Sequence, residues 1–367
     1  MREHVDTRRF VGRGRKHFIA DARYDLEAVT AGFVNRSDAE FDDAALLQRI
    51  CLAYRKAKLD EATAPTAYRP TRWWEMQRRG SLQPVVTALQ HGNVEALSRM
   101  YRNFYRDACS AGLIIVQSLA KRYFNGRMTD QQRRYILADA LYRLDYWKRV
   151  TNGSFAVADL TGPTAGNPFG VMVEATLVRA GSEYQHFCGI EVSKRVTGDY
   201  PVVAEIGGGY GGMAYYLLRE RPRLKYVGFD VAESVALTSY FLMRAFPQRK
   251  FLLYGEAEPC EKSVAHTDVI LLPVFAMRDL PLKAAVTFSS HAISDLSTTA
   301  QAEYALRISA MTSHCLICIG ARVGMDNFDA ALKSTGLWRI EQETTLEWSV
   351  HRNARASEVE RVYRKQG

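Results

Sequence analysis

Apolar residues recur at helical spacing through the first half of the chain. Leu47, Ile50 and Tyr54 begin this pattern, and Leu137 and Leu141 belong to its last amphipathic stretch. Spacings of three and four residues place such side chains on one face of a helix. The pattern predicts an all-helical N-terminal domain.

From about residue 200 the pattern changes to short apolar runs that alternate with helical segments. Two of the predicted helices stop at Pro222 and Pro247, because the residue before a proline disfavours helix. The predicted strands of this half are 202–206, 224–230, 251–254, 268–273, 285–289, 314–320, 337–341, 347–351 and 360–364. Alternating strands and helices are typical of a doubly wound α/β fold, here a Rossmann-like and mostly parallel sheet. The last strands have no long helices between them, which predicts an antiparallel end to the sheet.

These patterns divide the chain into four segments. Residues 1–45 carry a basic, glycine-broken stretch and are predicted to be a partly flexible arm, and 46–150 form the helical domain. Residues 151–198 start with a loop dense in turn-forming residues, which is typical of a functional or a disordered segment, followed by a connecting helix. Residues 199–367 form the cofactor-binding domain.

The most informative motif is the turn that follows the first strand of the sheet. Five of the six residues in 207–212 are glycine, with Tyr210 between them, and Glu205 precedes the turn. Glycine permits positive φ and lets backbone N–H groups approach a nucleotide-bearing cofactor. The spacing of Gly207, Gly209 and Gly211 fits S-adenosylmethionine (SAM), although Gly207, Gly209 and Gly212 also fit a dinucleotide.

Charge favours SAM over a dinucleotide at this turn. The Glu205 carboxylate suits the ammonium group of the cofactor's methionine end and would repel a pyrophosphate. Asp230 ends the next predicted strand, where an acidic residue can bind the two ribose hydroxyls. The alternative role of Asp230 is an ordinary helix cap. Gly208 and Val231 complete the predicted cofactor site.

The stretch Glu205-Ile-Gly-Gly-Gly-Tyr-Gly-Gly212 resembles the hallmark of a family of SAM-dependent sugar O-methyltransferases. Gly166-Asn167-Pro168 and the segment 289–295 extend the resemblance, which runs from about Trp73 to the C-terminus. It implies the class I methyltransferase fold, a sugar or glycoside acceptor and, through 166–168, an active-site loop at 151–170. Within the second segment Ser289 and Asp295 replace the residues that are usual in the family.

Candidate catalytic residues follow from where ligands bind in such sheets, beyond the carboxyl ends of the strands. His291 comes directly after a predicted strand and could take the proton of the acceptor hydroxyl, since a histidine is neutral near physiological pH. Asp295 could orient its imidazole or help to hold a divalent cation such as Mg²⁺ on a sugar diol. Asp295 also fits a helix cap. His186 is a second candidate base.

The acceptor would contact the loop at Asn167 and the rings of Tyr184 and Tyr210. Tyrosines in such positions are also common packing residues. The histidines show no metal-binding spacing, and Cys315 and Cys318 are interpreted as buried thiols.

Charge leaves a second function open. The chain has a formal net charge of +9, and residues 51–150 hold 18 Lys and Arg against 8 Asp and Glu. A basic surface could bind an anionic acceptor or nucleic acid, or it could be a solvated surface or a subunit contact in a homo-oligomer. The alternatives to a sugar methyltransferase are therefore a nucleic-acid methyltransferase and a non-catalytic cofactor-binding protein, with a hydride-transfer enzyme less favoured.

Location is predicted from what the sequence lacks. It has no apolar run long enough for a membrane span, no apolar core of a secretion signal near Met1, and no disulfide framework among its six cysteines. We expect a cytoplasmic protein without a membrane partner, for which nucleic acid is an improbable ligand.

Overall fold

The computed structural model describes residues 2–37, 42–114, 123–124, 128–199, 201–258, 260–353 and 358–366. The α-helices in these ranges are α1 (Arg2–His17), α2 (Leu26–Gly32), α3 (Ala44–Glu61), α4 (Arg72–Arg79), α5 (Gln83–His91), α6 (Val94–Tyr101), α7 (Asp130–Val150), α8 (Ser182–Ser193), α9 (Gly212–Glu220), α10 (Ala232–Ala245), α11 (Glu261–Ala265), α12 (Thr298–Met311) and α13 (Arg322–Lys333). No helix in the described ranges is both long and apolar enough to cross a bilayer.

Within the described ranges, ten strands form a small hairpin and one large sheet. The strands are β1 (Gly170–Val173), β2 (Thr176–Arg179), β3 (Val202–Ile206), β4 (Lys225–Asp230), β5 (Phe251–Leu253), β6 (Val269–Pro273), β7 (Ala284–Ser290), β8 (Thr312–Ala321), β9 (Trp338–Leu346) and β10 (Glu358–Lys365). The hairpin pairs β1 with β2, and the large sheet has the order β5-β6-β4-β3-β7-β8-β10-β9.

The large sheet confirms the predicted fold class. Its pairs are parallel from β5 to β8, and β10 is antiparallel to both β8 and β9. Of the two candidates for the third parallel strand, β6 lies next to β4 and β5 forms the edge. Strand order reverses at β3, whose neighbours are β4 and β7, so a ligand crevice is expected beyond the carboxyl end of β3.

The prediction of a strand at 347–351 is wrong. These residues form turns instead, and Trp348 is 3% exposed, with its ring 4.7 Å from the ring of Tyr146 on α7. The backbone N–H of Glu347 donates to the Tyr146 hydroxyl at 2.9 Å. The apolar residues that suggested a strand are therefore buried by packing on a helix rather than by strand pairing.

The helical N-terminal region packs against helices of the sheet domain, with α3 lying on α10. Buried side chains of α3, such as Ile50 and Tyr54, belong to the same continuous core as Val203 of β3 and Leu237 of α10. The basic stretch predicted to be an arm forms α1, whose Phe10 is 3% exposed and packs against Tyr135 of α7. The four segment boundaries stay a prediction.

Candidate active site

The glycine turn lies at the carboxyl end of β3, where the strand order reverses. Gly207, Gly209 and Gly211 all have positive φ (79°, 61° and 88°), which explains why glycine is needed at these positions. A Cβ atom on Gly207 would lie 2.1 Å from the Cβ of Ala292. The loop after β7 therefore packs tightly on the turn that leads from β3 into α9.

Glu205 lies beneath this turn. Its side chain is buried, and Oε2 accepts a 2.5 Å hydrogen bond from the hydroxyl of Tyr226 on β4. A Cβ atom on Gly208 would lie 3.1 Å from the same carboxylate oxygen, so only glycine leaves this room. Burial raises the pKa of Glu205 to about 7, and the nearby Asp230 adds to the shift.

Asp230 joins the end of β4 to the glycine turn. One oxygen accepts the backbone N–H of Gly209 at 2.8 Å, and the other accepts that of Val231 at 2.7 Å. The second contact is part of the start of α10, where Val231 is the N-cap residue. Loss of hydration raises the pKa of Asp230 to about 7, although the two backbone hydrogen bonds oppose the shift.

Two acidic groups thus flank one turn without a basic partner. Among the described residues, neither Glu205 nor Asp230 forms an ion pair with a lysine, arginine or histidine. Carboxylates held out of water are costly unless a positive charge or hydrogen-bond donors compensate them. The residues present fit a ligand that carries positive charge and hydroxyl donors, and they disfavour a pyrophosphate.

His291 lies at the same edge of the sheet, immediately after β7. It adopts positive φ (63°), and its backbone N–H donates to the carbonyl oxygen of Ile319 at 2.7 Å. Its imidazole Nε2 is 3.8 Å from Oε1 of Glu358, and the side chain is about half exposed. The predicted orienting residue, Asp295, is exposed, and its described side-chain hydrogen bond comes from Ser294. In the free protein the carboxylate near His291 is therefore Glu358.

The start of α8 contacts both sides of this region. The Tyr184 hydroxyl and Ser290 Oγ, at the end of β7, are 2.6 Å apart in a hydrogen bond. Gln185 Oε1 accepts a 2.7 Å hydrogen bond from the hydroxyl of Tyr210, inside the glycine turn. The first turn of α8 thus connects the carboxyl ends of β3 and β7.

A cavity of about 900 Å³ opens beside this first turn of α8. Its walls come from α7, the hairpin β1–β2 and the beginning of α8, together with Tyr210 of the glycine turn and Leu113. A space of this size is in the usual range for a small-molecule site. It is the natural place for a substrate that reacts at the glycine turn.

Two predicted site residues lie elsewhere. Asn167 is 3% exposed, and its side chain accepts the backbone N–H of Arg36 and donates to the side chains of Asn35 and Asn103, each at 2.8 Å. Asn167 thus links residues 35–36 and Asn103 to its own loop. Its side-chain polar atoms are occupied by these hydrogen bonds in the free protein.

His186 is buried in the core. Its Nδ1 accepts a 3.2 Å hydrogen bond from the indole N–H of Trp147, and the rings of Phe155 and Tyr216 pack edge-on against it. Burial lowers the pKa of His186 to about 4. The geometry gives this histidine a packing position rather than access to the cavity.

Sequence reasoning missed the charged residues around α8. Arg179 is 1% exposed and lies among aromatic rings, with its Cζ 5.3 Å from the ring centroid of Tyr105. Its Nη2 donates to Gln185 Oε1 at 3.2 Å. Glu183 is also 1% exposed and lines the cavity. The sequence signal that could have revealed them is the position of Arg179 and Glu183 on either side of Gly181, within an apolar stretch.

The described residues contain no group of three or more histidine, cysteine, aspartate and glutamate side chains that could hold a metal ion. Cys315 and Cys318 are buried free thiols within the described part of β8.

Comparison with known proteins gives structural similarity only. No protein-family model and no curated protein matches the sequence. The pyocyanin biosynthetic protein PhzM is 12% identical, with 68% of this chain and 76% of that chain covered and a TM-score of 0.36. The N-methyltransferase NodS from Bradyrhizobium japonicum WM9, solved with S-adenosyl-L-homocysteine, is 10% identical, with 51% and 88% covered and a TM-score of 0.35.

A third solved structure, the mitomycin 7-O-methyltransferase MmcR, is 16% identical, with 65% of this chain and 71% of that chain covered and a TM-score of 0.33. With TM-scores this low, the fold class depends on the strand order of the sheet itself. That order, with β10 antiparallel between β8 and β9, is the predicted Rossmann-like class I methyltransferase sheet.

Proposed function

We propose that the protein is a SAM-dependent O-methyltransferase that transfers a methyl group to a hydroxyl of a sugar or glycoside. The observation that carries the proposal is the pair of carboxylates, Glu205 and Asp230, which flank the glycine turn without a basic partner among the described residues. SAM carries an ammonium and a sulfonium, which supply the positive charge that these carboxylates lack, and a ribose diol, which supplies further hydrogen-bond donors. The sugar acceptor comes from the resemblance of the glycine motif.

Each cofactor-binding residue has a separate role in this proposal. Glu205 attracts the ammonium end, and the backbone at Gly207, Gly209 and Gly211 allows close approach of the ligand. Asp230 binds the ribose hydroxyls while it keeps its contact with Gly209, because each carboxylate oxygen can accept two hydrogen bonds. When bound, SAM supplies an electrophilic methyl group.

His291 takes the proton of the acceptor hydroxyl. A general base must reach that proton directly or through one water, and the half-exposed imidazole at the carboxyl end of β7 is free to do so. The ring of Tyr184, whose hydroxyl is hydrogen-bonded to Ser290, lies beside the imidazole of His291, with ring centroids 6.3 Å apart. Most of the rate then comes from holding the acceptor oxygen in line with the methyl group.

The test is methyl transfer itself. Purified protein is incubated with methyl-labelled SAM and a panel of mono- and oligosaccharides and glycosides, with and without a chelator. We expect label in at least one carbohydrate product and at least a 100-fold lower rate for His291→Ala. If the cofactor binds but no carbohydrate is labelled, the acceptor part of the proposal fails. If the cofactor does not bind, the whole proposal fails.

A further inference from the structure

The 900 Å³ cavity adjoins the glycine turn at two points. Tyr210 belongs to the turn and lines the cavity. Leu113 also lines the cavity, and its Cδ2 is 3.8 Å from the position that a Cβ atom on Gly209 would take. A molecule in this space would therefore lie beside any ligand that the turn holds.

One carboxylate in the wall of this cavity is incompletely hydrogen-bonded by the described residues. Glu183 is 1% exposed, in the first turn of α8, and its Oε2 has no hydrogen-bond partner among the described residues. The nearest cation is Arg143 on α7, whose Nε is 4.0 Å from the other carboxylate oxygen. A buried carboxylate oxygen left in this state destabilises the free protein, which is typical of groups that are completed by a ligand.

The charges that face Glu183 come from two elements. Arg143 and Asp139 lie on α7, and Arg179 lies at the end of β2. Burial raises the pKa of Glu183, and the two arginines oppose that shift. Because cations already lie on both sides, the missing partner is a neutral hydrogen-bond donor such as a hydroxyl group rather than another cation.

The rest of the wall has an apolar part and a polar part. Leu113, Ile114, Phe169, Val171 and Val178 form the apolar part, and Gln131, Gln132 and Arg352 belong to the polar part. Apolar surface of this extent favours a ligand with a sizeable apolar part, and the volume is near the upper end for drug-sized ligands. A free monosaccharide would leave much of this surface in contact with water.

We infer that this cavity is the acceptor site, that Glu183 accepts a hydrogen bond from an acceptor hydroxyl, and that the acceptor is a glycoside with an apolar aglycone. The inference rests on the proposed methyl-transfer function and adds the substrate class and a specificity-determining residue. Glu183 binds the acceptor, and His291 keeps the role of the base.

Matched glycosides and a matched variant test this inference. Pyranosides are supplied as both methyl and phenyl glycosides with labelled SAM, and Glu183→Gln is compared with Glu191→Gln. Glu191 lies on the same helix but pairs with Lys194 and Arg195, and it does not line the cavity. We expect the phenyl glycosides to have KM values at least about 10-fold lower than the methyl glycosides, because they bury more apolar surface.

For Glu183→Gln we expect the acceptor KM to rise about 10- to 100-fold, with kcat changed less than about 3-fold and the Kd of SAM unchanged. The melting temperature should stay equal or rise, since a buried carboxylate whose Oε2 has no hydrogen-bond partner among the described residues is replaced by a neutral amide. Ala140→Trp, which narrows the cavity from the α7 side, should remove the preference for phenyl glycosides.

Three results would overturn the inference. The first is an unchanged acceptor KM in Glu183→Gln. The second is a lower melting temperature together with weaker SAM binding, which would give Glu183 a structural role. The third is normal SAM binding with no preference for phenyl over methyl glycosides. Failure to bind SAM at all would instead refute the proposed function on which the inference rests.

Discussion

At the scale of single residues, Asp230 is the side chain that connects the turn to the ligand. It accepts the N–H of Gly209 and would also bind the ribose diol. Asp230→Ala removes both interactions, so we expect SAM affinity to fall by at least about 100-fold in calorimetry. The control is Asp279→Ala, whose exposed carboxylate pairs with Arg278. Undiminished affinity in Asp230→Ala would disprove the assigned role.

The pKa values of Glu205 and Asp230 predict how SAM binding depends on pH. Burial raises both to about 7, so each carboxyl holds a proton in the free protein below that pH. A cationic ligand favours the charged form, and binding below pH 7 must therefore release protons. We expect affinity to fall by roughly 15-fold per carboxylate from pH 7 to pH 5.5, with less dependence in Glu205→Gln. Calorimetry in buffers of different ionisation enthalpy measures the protons released.

At the scale of elements, the glycine turn depends on close packing against the loop after β7. Gly207→Ala would put its Cβ 2.1 Å from that of Ala292, at a positive φ that alanine rarely adopts. Gly336→Ala is a matched control, because its φ is 69° and nothing lies within 4 Å of the added Cβ. We expect the control to lose about 1–2 kcal/mol of unfolding free energy and Gly207→Ala to lose more, together with SAM binding. Equal losses in denaturant unfolding would show that the contact with Ala292 is unimportant.

Local sequence patterns predict some of these elements and not others. Strand β3, its glycine turn and Asp230 were predictable because a strand-to-glycine motif fixes its own geometry. The turn at 347–351 was not, since only the distant Tyr146 and Asp139 explain why Trp348 and His351 do not join the sheet. The sequence did not reveal Glu183 for a related reason. Its burial arises from α7, which is far from it in sequence, and from the hairpin, which no motif marks.

At the scale of the whole molecule, the basic segment 51–150 is partly neutralised by other parts of the chain. Arg78 pairs with Glu233 at 2.8 Å, Arg102 with Asp43 at 3.2 Å and Arg149 with Glu347 at 2.6 Å. We therefore expect no RNA or DNA binding at 150 mM salt beyond weak non-specific affinity. A filter-binding titration with tight, salt-resistant retention would favour the nucleic-acid methyltransferase instead.

The stability of the free protein should also depend on pH, because Glu205 is a buried acid. A carboxyl whose pKa rises on folding stabilises the protein below its ordinary pKa, and that contribution is lost as pH rises through the folded value. For Glu205 this window runs from 4.5 to about 7. We expect Glu205→Gln to become progressively more stable than the wild type from pH 5 to pH 8 in thermal unfolding. A constant difference across this range would show that Glu205 titrates normally.

The most direct test of the central claim is a calorimetric titration of the wild-type protein at pH 8 with SAM, and separately with a nicotinamide dinucleotide. The claim is that two acidic groups around the glycine turn select a cationic sulfur cofactor. It predicts one SAM bound per chain at micromolar affinity and no measurable binding of the dinucleotide. Binding of the dinucleotide in preference to SAM, or no heat with SAM, would contradict it.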